Sequence, residues 1–183
     1  QRQMCIRDSI MADPVTGERE EIVSALPAAS NAMAITSDGR WLAVGDIDGF
    51  VRLIDRQSDT VIHTIDAFDD PVTALIIDED RAMLYASAHS APAPVRAFDL
   101  GSGSHLFDFQ HKARPIIDLA ASPDGALLAG AETGPQVHFW DPATGQIVQT
   151  IVPYIPGQRE LTALAVAFSP CLLYTSDAAD DRL

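Results

Sequence analysis

Apolar residues fall in short runs along most of the chain, each closed by turn-forming residues. Ala32 to Thr36 is one such run, ended by Ser37-Asp38-Gly39-Arg40. Asp and Gly tolerate the backbone angles that a tight reversal needs. Trp41 to Gly45 is a second run, and Asp48-Gly49 is a second hairpin signal. From Phe50 to Asp55 the chain alternates, with Val51, Leu53 and Asp55 on one face and Phe50, Arg52 and Ile54 on the other. Thr60 to Ile65 is rich in β-branched residues. This pattern predicts four strands. The plan repeats at Val72 to Ile77, Met83 to Ala88, Val95 to Leu100 and Ser104 to Phe109. It repeats again at Ile116 to Ala121, Ala126 to Ala131, Gln136 to Asp141 and Gln146 to Val152, and Leu161 to Phe168 restarts the cycle. No stretch keeps a helical period over about ten residues.

Two landmarks keep step with the strands. Trp140-Asp141-Pro142-Ala143-Thr144-Gly145 matches Ala12-Asp13-Pro14-Val15-Thr16-Gly17, with Ile54-Asp55 and Phe98-Asp99 between them. The marking aspartates, Asp13, Asp55, Asp99 and Asp141, are spaced by 42, 44 and 42 residues. The second landmark is Thr36-Ser37-Asp38-Gly39, then the weaker Asp78-Glu79-Asp80, then Ser122-Pro123-Asp124-Gly125; Phe168-Ser169-Pro170 begins a further copy. Four strands per period of about 42 residues fit a β-propeller blade. One blade cannot bury both of its faces alone, so neighbours must cover each other. Small residues such as Ala129 and Gly130 suit inner strands near a narrow axis.

At these residues the chain resembles the WD-repeat family, over residues 10–170. The fullest unit has His111 at its start, the Ser122 to Gly125 turn, and Trp140-Asp141 at its close. The resemblance implies an all-β fold, a partial β-propeller of four-stranded antiparallel blades. About three complete blades are expected, plus parts of two more, in an open array. The expected division is 10–30 as the end of a partial blade, blades at 31–70, 71–110 and 111–152, and 153–170 as the start of another. In the family a blade carries a buried network that links a His, a turn Asp, a Ser or Thr and the Trp. Asp48, seven residues before Asp55, matches the turn Asp; the same offset gives Pro92 and Gly134 in the later units. No blade is expected to hold the whole network. Asp48, His111, Asp55, Asp99, Trp140 and Asp141 are expected to be structural.

The termini change how composition is read. One legal back-translation of residues 1–9 has a reverse complement that reads Cys-Leu-Leu-Tyr-Thr-Ser-Asp-Ala, the sequence of residues 171–178. A sequencing adapter joined to both ends of a DNA fragment produces that relation, so 1–9 and 171–183 are expected to be adapter-derived. The two cysteines, Cys5 and Cys171, both lie there, so cysteine counting gives no disulfide or zinc framework. The formal charge of −14 becomes −13 once the +1 of 1–9 and the −2 of 171–183 are set aside. Such acidity argues against a nucleic-acid backbone, which needs clustered Lys and Arg. No run approaches the roughly 18 apolar residues of a membrane helix. With the true N-terminus expected to be missing, compartment stays open, with the cytoplasm slightly favoured over the periplasm.

Candidate chemistry is sparse. Asp-x-x-Thr-Gly at Asp13 and Asp141 resembles part of a docking motif of quinoprotein propellers, but Glu21 and Gln149 stand where that motif wants Trp. His63, His89, His105, His111 and His138 show no close pairing in sequence, and His63, His105 and His138 suit surface positions on strands. No catalytic, cofactor-binding or metal-binding residues are expected, and no cofactor. The reading is a non-catalytic protein-interaction scaffold with protein partners, no nucleic acid and no membrane. The alternative is a piece of a bacterial enzyme or cofactor-binding propeller, quinoprotein-like or cytochrome-associated, whose catalytic residues lie in missing blades or a fused domain. Loops at one end of the blades are expected to form the interaction face, through Asp46, His89, Lys112, Arg114, Tyr154 and Arg159, with Phe68, Asp69 and Asp70 nearby. Open blade faces are expected to self-associate.

Overall fold

The computed structural model describes residues 9–12, 19–23, 28–89, 94–111, 114–152 and 163–169. A short hairpin comes first, β1 (Ser9–Ala12) against β2 (Arg19–Val23). Three four-stranded antiparallel sheets follow, each a simple meander. The first holds β3 (Ser30–Ile35), β4 (Trp41–Asp46), β5 (Phe50–Asp55) and β6 (Thr60–Asp66). The second holds β7 (Val72–Asp78), β8 (Met83–Ala88), β9 (Val95–Asp99) and β10 (His105–Asp108). The third holds β11 (Ile116–Ala121), β12 (Leu128–Glu132), β13 (Val137–Trp140) and β14 (Ile147–Ile151). No helix occurs among the described residues. These are blades of an open β-propeller array.

The turns explain where strands begin. Thr36 Oγ1 donates to Asp38 Oδ1 at 2.6 Å and accepts from Trp41 N at 2.9 Å, while Arg40 N donates to Asp38 Oδ1. Ser122, Asp124, Ala126 and Leu127 repeat these bonds in the third blade. The strand expected from Ala126 begins at Leu128 instead, and Ala126 belongs to the turn, its N–H held by the Asp124 carboxylate. The strand expected over 161–168 is not formed in its described part. Ala163 N donates to Gly134 O and Val166 N to the Asp118 carboxylate, so these donors serve no ladder.

The core lies between blades. In the middle blade Leu84, Ala86 and Ala88 point to one side and meet Ala43, Val51 and Leu53 of the first. Tyr85, Val95 and Ala97 point to the other side and meet Ile116, Leu128 and Trp140 of the third. Alternation along a strand thus feeds two cores, which is why its sequence reads as continuously apolar. Close approach needs small residues: a Cβ on Gly45 would lie 2.4 Å from Val72 Cγ1, and one on Gly130 would lie 2.6 Å from the Trp140 ring.

Hydrogen bonds stitch successive inner strands at equivalent positions. Asn31 Nδ2 donates to Val72 O at 2.6 Å, and Thr73 Oγ1 donates to Ile116 O at 2.6 Å. A hydrogen bond nets about 1 kcal/mol, whereas each fully buried Leu, Ile or Val contributes about 1.5–3 kcal/mol. Apolar packing therefore supplies most of the attraction, and the polar stitches fix blade register.

Candidate functional site

Antiparallel meanders gather the β4–β5, β8–β9 and β12–β13 turns at one end with the connections between blades. Ala67 N and Phe68 N both donate to Gly49 O, and Thr133 N donates to Pro115 O. Gly49 has φ of +88°, and a Cβ there would fall 1.8 Å from Phe68 O, so only glycine fits this junction.

Beneath this rim runs a line of buried ionisable side chains. Asp46, at the end of β4, is 1% exposed and pairs with the Arg52 guanidinium from β5. Its Oδ1 also accepts Asp48 N and Phe50 N at 3.0 Å each. In the third blade Glu132 ends β12 and His138 comes from β13, with His138 Nε2 3.3 Å from Glu132 Oε2. Each acid precedes its base by six residues. Strand register explains the match: Arg52 lies opposite Val44 and His138 opposite Gly130, so each acid sits two residues beyond its base's partner, on the same face. In the middle blade Arg96 lies opposite Ala86, and the matching position is Ala88. Without a strand acid, Arg96 Nη1 donates to Ala67 O at 2.6 Å and its guanidinium covers the Phe68 ring. Its Nε makes no aligned hydrogen bond, although Asp108 Oδ1 lies 3.4 Å away.

The third blade extends the pair into a cluster. His111, from the connection before β11, places Nε2 3.9 Å from Glu132 Oε2 and 2.7 Å from Arg114 O. The His111 and His138 rings stand 4.5 Å apart, and His138 Nδ1 is 3.0 Å from Thr150 Oγ1. Trp140 closes the floor, fully buried, and its Nε1 donates to Gln110 O at 2.8 Å. Burial pushes the His111 imidazole below its ordinary pKa of 6.5, and His138 adds to that; the Arg114 carbonyl and Glu132 pull the other way and do not outweigh burial.

Several expectations are corrected here. The histidines are not all separate, since register brings His111 and His138 together around Glu132. His138 is buried, not a surface position. Asp46 is not on the exposed face, because Arg52 holds it inside. Asp48, expected in the buried network, is exposed, and the turn's buried carboxylate is Asp46. Phe68 is core under Arg96. His89, Arg114, Asp69 and Asp70 are exposed on the rim. Lys112, Tyr154 and Arg159 lie outside the described residues. Glu132, Arg52 and Thr150 were missed by sequence reasoning; the acid–base pair recurring at the same six-residue spacing was the available signal.

At the opposite end the marking aspartates cap turns. Asp55 Oδ1 accepts Gln57 N and its Oδ2 meets Arg40; Asp99 Oδ1 accepts Ser102 N and Oγ; Asp141 Oδ1 accepts Ala143 N. The Gln57 amide lowers the Asp55 pKa, and the Ser102 hydroxyl and amide lower that of Asp99. Thr36 and Ser122 lower Asp38 and Asp124 in the same way.

The sequence model described as "WD domain, G-beta repeat" (WD40) matches residues 23–55. The chain is 27% identical over 135 residues to "Target of rapamycin complex subunit wat1" of Schizosaccharomyces pombe, covering 72% of this chain and 42% of that protein. It is 30% identical over 139 residues to "WD repeat-containing protein SL1-17" of Schistosoma mansoni, covering 76% and 45%. The chain thus spans less than half the length of these curated relatives. Among solved structures it resembles Kuenenia stuttgartiensis hydrazine synthase, with TM-score 0.71, 22% identity, and coverage of 81% of this chain and 44% of that one. It also resembles the computationally designed Ika4 protein, with TM-score 0.66, 23% identity, and coverage of 82% and 87%. At these identities the structural likeness shows the fold alone.

Two predictions follow from the geometry. Asp46→Asn leaves the buried Arg52 without its counter-charge and should cost about 3–5 kcal/mol, while Asp48→Asn on the exposed turn should stay within about 0.5 kcal/mol. Urea unfolding of both variants checks this. Lowered carboxylate pKa values in the folded state mean that the unfolded chain binds more protons in acid. The stability from Asp38, Asp55, Asp99 and Asp124 should be full above their unfolded value of 3.8 and fall as pH drops through the lower folded values. Urea midpoints measured against pH should show that fall, and Asp124→Asn should make it shallower.

Proposed function

The chain belongs to the WD-repeat family, and from that membership we propose that it is a non-catalytic scaffold that binds other proteins through the loop end of its blades. The observation that carries this reading is the contrast between the two layers of that end. Below, the polar side chains bond one another: Asp46 with Arg52, and Glu132 with His138. Above, His89, Asp69 and Arg114 stand exposed on a rim fixed by the Gly49 junction. A rigid base with polar and charged groups at its edge suits recognition of a partner surface.

Relatives support a partner-binding role. One is named as a subunit of the target of rapamycin complex, and another, from Saccharomyces cerevisiae, as U3 small nucleolar RNA-associated protein 18. Lys112, Tyr154 and Arg159 belong to the proposed face by sequence position. Exposed apolar residues on β14, among them Val148 at 60% and Ile151 at 41%, favour self-association as a second kind of contact.

The test is affinity capture from the source organism, followed by direct binding to the purified partner. Arg114→Glu with His89→Glu should weaken that binding at least about tenfold, or about 1.4 kcal/mol, with circular dichroism unchanged. A Val61→Ser control on the outer strand should bind normally. Binding that survives the rim changes would overturn the assignment of this face.

A further inference from the structure

We propose that His111, Glu132 and His138 form a zinc site in the third blade. The three donor atoms lie within 4.8 Å of one another, and all three residues are buried. His111 Nε2 and His138 Nε2 aim at the same carboxylate oxygen, at 3.9 and 3.3 Å. Zinc bonds of about 2.0–2.2 Å to nitrogen and oxygen give tetrahedral edges of roughly 3.3–3.5 Å. The His138–Glu132 separation of 3.3 Å already matches that edge, the His111–Glu132 separation of 3.9 Å must close by roughly half an ångström, and the widest, within 4.8 Å, by up to about 1.5 Å to seat the ion. Two imidazoles and one carboxylate are the donor set of three-ligand zinc centres, and nitrogen donors disfavour magnesium and calcium.

The surroundings are those a ligand shell needs. Thr150 Oγ1 stands 3.0 Å from His138 Nδ1. When it accepts the Nδ1 proton, Nε2 keeps its lone pair for the metal. In the metal-free chain His111 Nε2 donates to Arg114 O at 2.7 Å, so zinc takes this nitrogen by displacing the proton from that bond. Beside the cluster the chain packs tightly at Gly134, where a Cβ would lie 2.5 Å from Glu132 Oε1 and 2.7 Å from Arg114 Nη1. Glycine at 134 is what lets the Glu132 carboxylate and the Arg114 side chain occupy that space. Sheet register also presets the Glu132–His138 half of the site, since β12 and β13 hold it whether or not metal is bound.

The experiment uses the full chain with Cys5→Ser and Cys171→Ser, which removes the only thiols. Metal-free protein is titrated with Zn²⁺ against a chromophoric chelator, and separately with Co²⁺ in the visible range. One saturable site per folded chain is expected, with the intense Co²⁺ bands of tetrahedral nitrogen and oxygen ligation. Loss of the groups that hydrogen-bond a metal's ligands alone weakens zinc sites about 10–100-fold. Glu132→Gln and His138→Gln should therefore weaken Zn²⁺ binding by more than about tenfold, while His63→Ala and His105→Ala leave it unchanged. The Co²⁺ spectrum of the unsubstituted pocket decides the matter even if those variants fail to fold. No saturable Zn²⁺ uptake by the folded chain, an octahedral Co²⁺ spectrum, or uptake unchanged in folded Glu132→Gln and His138→Gln protein would overturn the proposal.

Discussion

Burial of one blade's face by the next is the constraint from which the rest follows. A four-stranded sheet has two apolar sides and only its neighbours to cover them. The middle blade shows both sides covered: Leu84, Ala86 and Phe98 serve one core, and Tyr85, Val95 and Ala97 the other. Tight spacing then dictates composition. Gly45 and Gly130 exist because Val72 and Trp140 occupy the space their side chains would need. Asn31 and Thr73 lock neighbouring inner strands so that these faces meet in one register.

The same constraint shapes the loop end. The loop ends of β4 and β12 are buried, so a charged or polar side chain there must be answered from the same sheet. Asp46 and Arg52 answer each other, and in the third blade Glu132 is hydrogen-bonded to His138. Pairs without a counter-charge are costly in such surroundings, which confines free charges to the rim. The rim is therefore available for partners because the layer below has spent its charges internally.

Much of this was legible in the sequence. The 42- to 44-residue period and the two turn landmarks located twelve strands, since turn chemistry is local: Thr36 with Asp38 and Ser122 with Asp124 make the same bonds wherever they occur. The cluster was not legible, because it depends on which residue of β12 faces which of β13 and on how the His111 connection folds back over them. Asp48 and Asp46 illustrate the limit. They are two residues apart, both acidic, and a family offset selected the exposed one, whereas the pairing of Val44 with Arg52 selects the other.

Native-state hydrogen exchange tests the mutual-burial account most directly. Amides of β8 and β9, covered by a blade on each side, should exchange only through global unfolding, and those of β14, whose residues are all exposed, should exchange far faster. Equal protection of β14 and β8, or protection of the middle blade that survives when Val72→Ala and Ile116→Ala loosen both neighbouring interfaces, would contradict it.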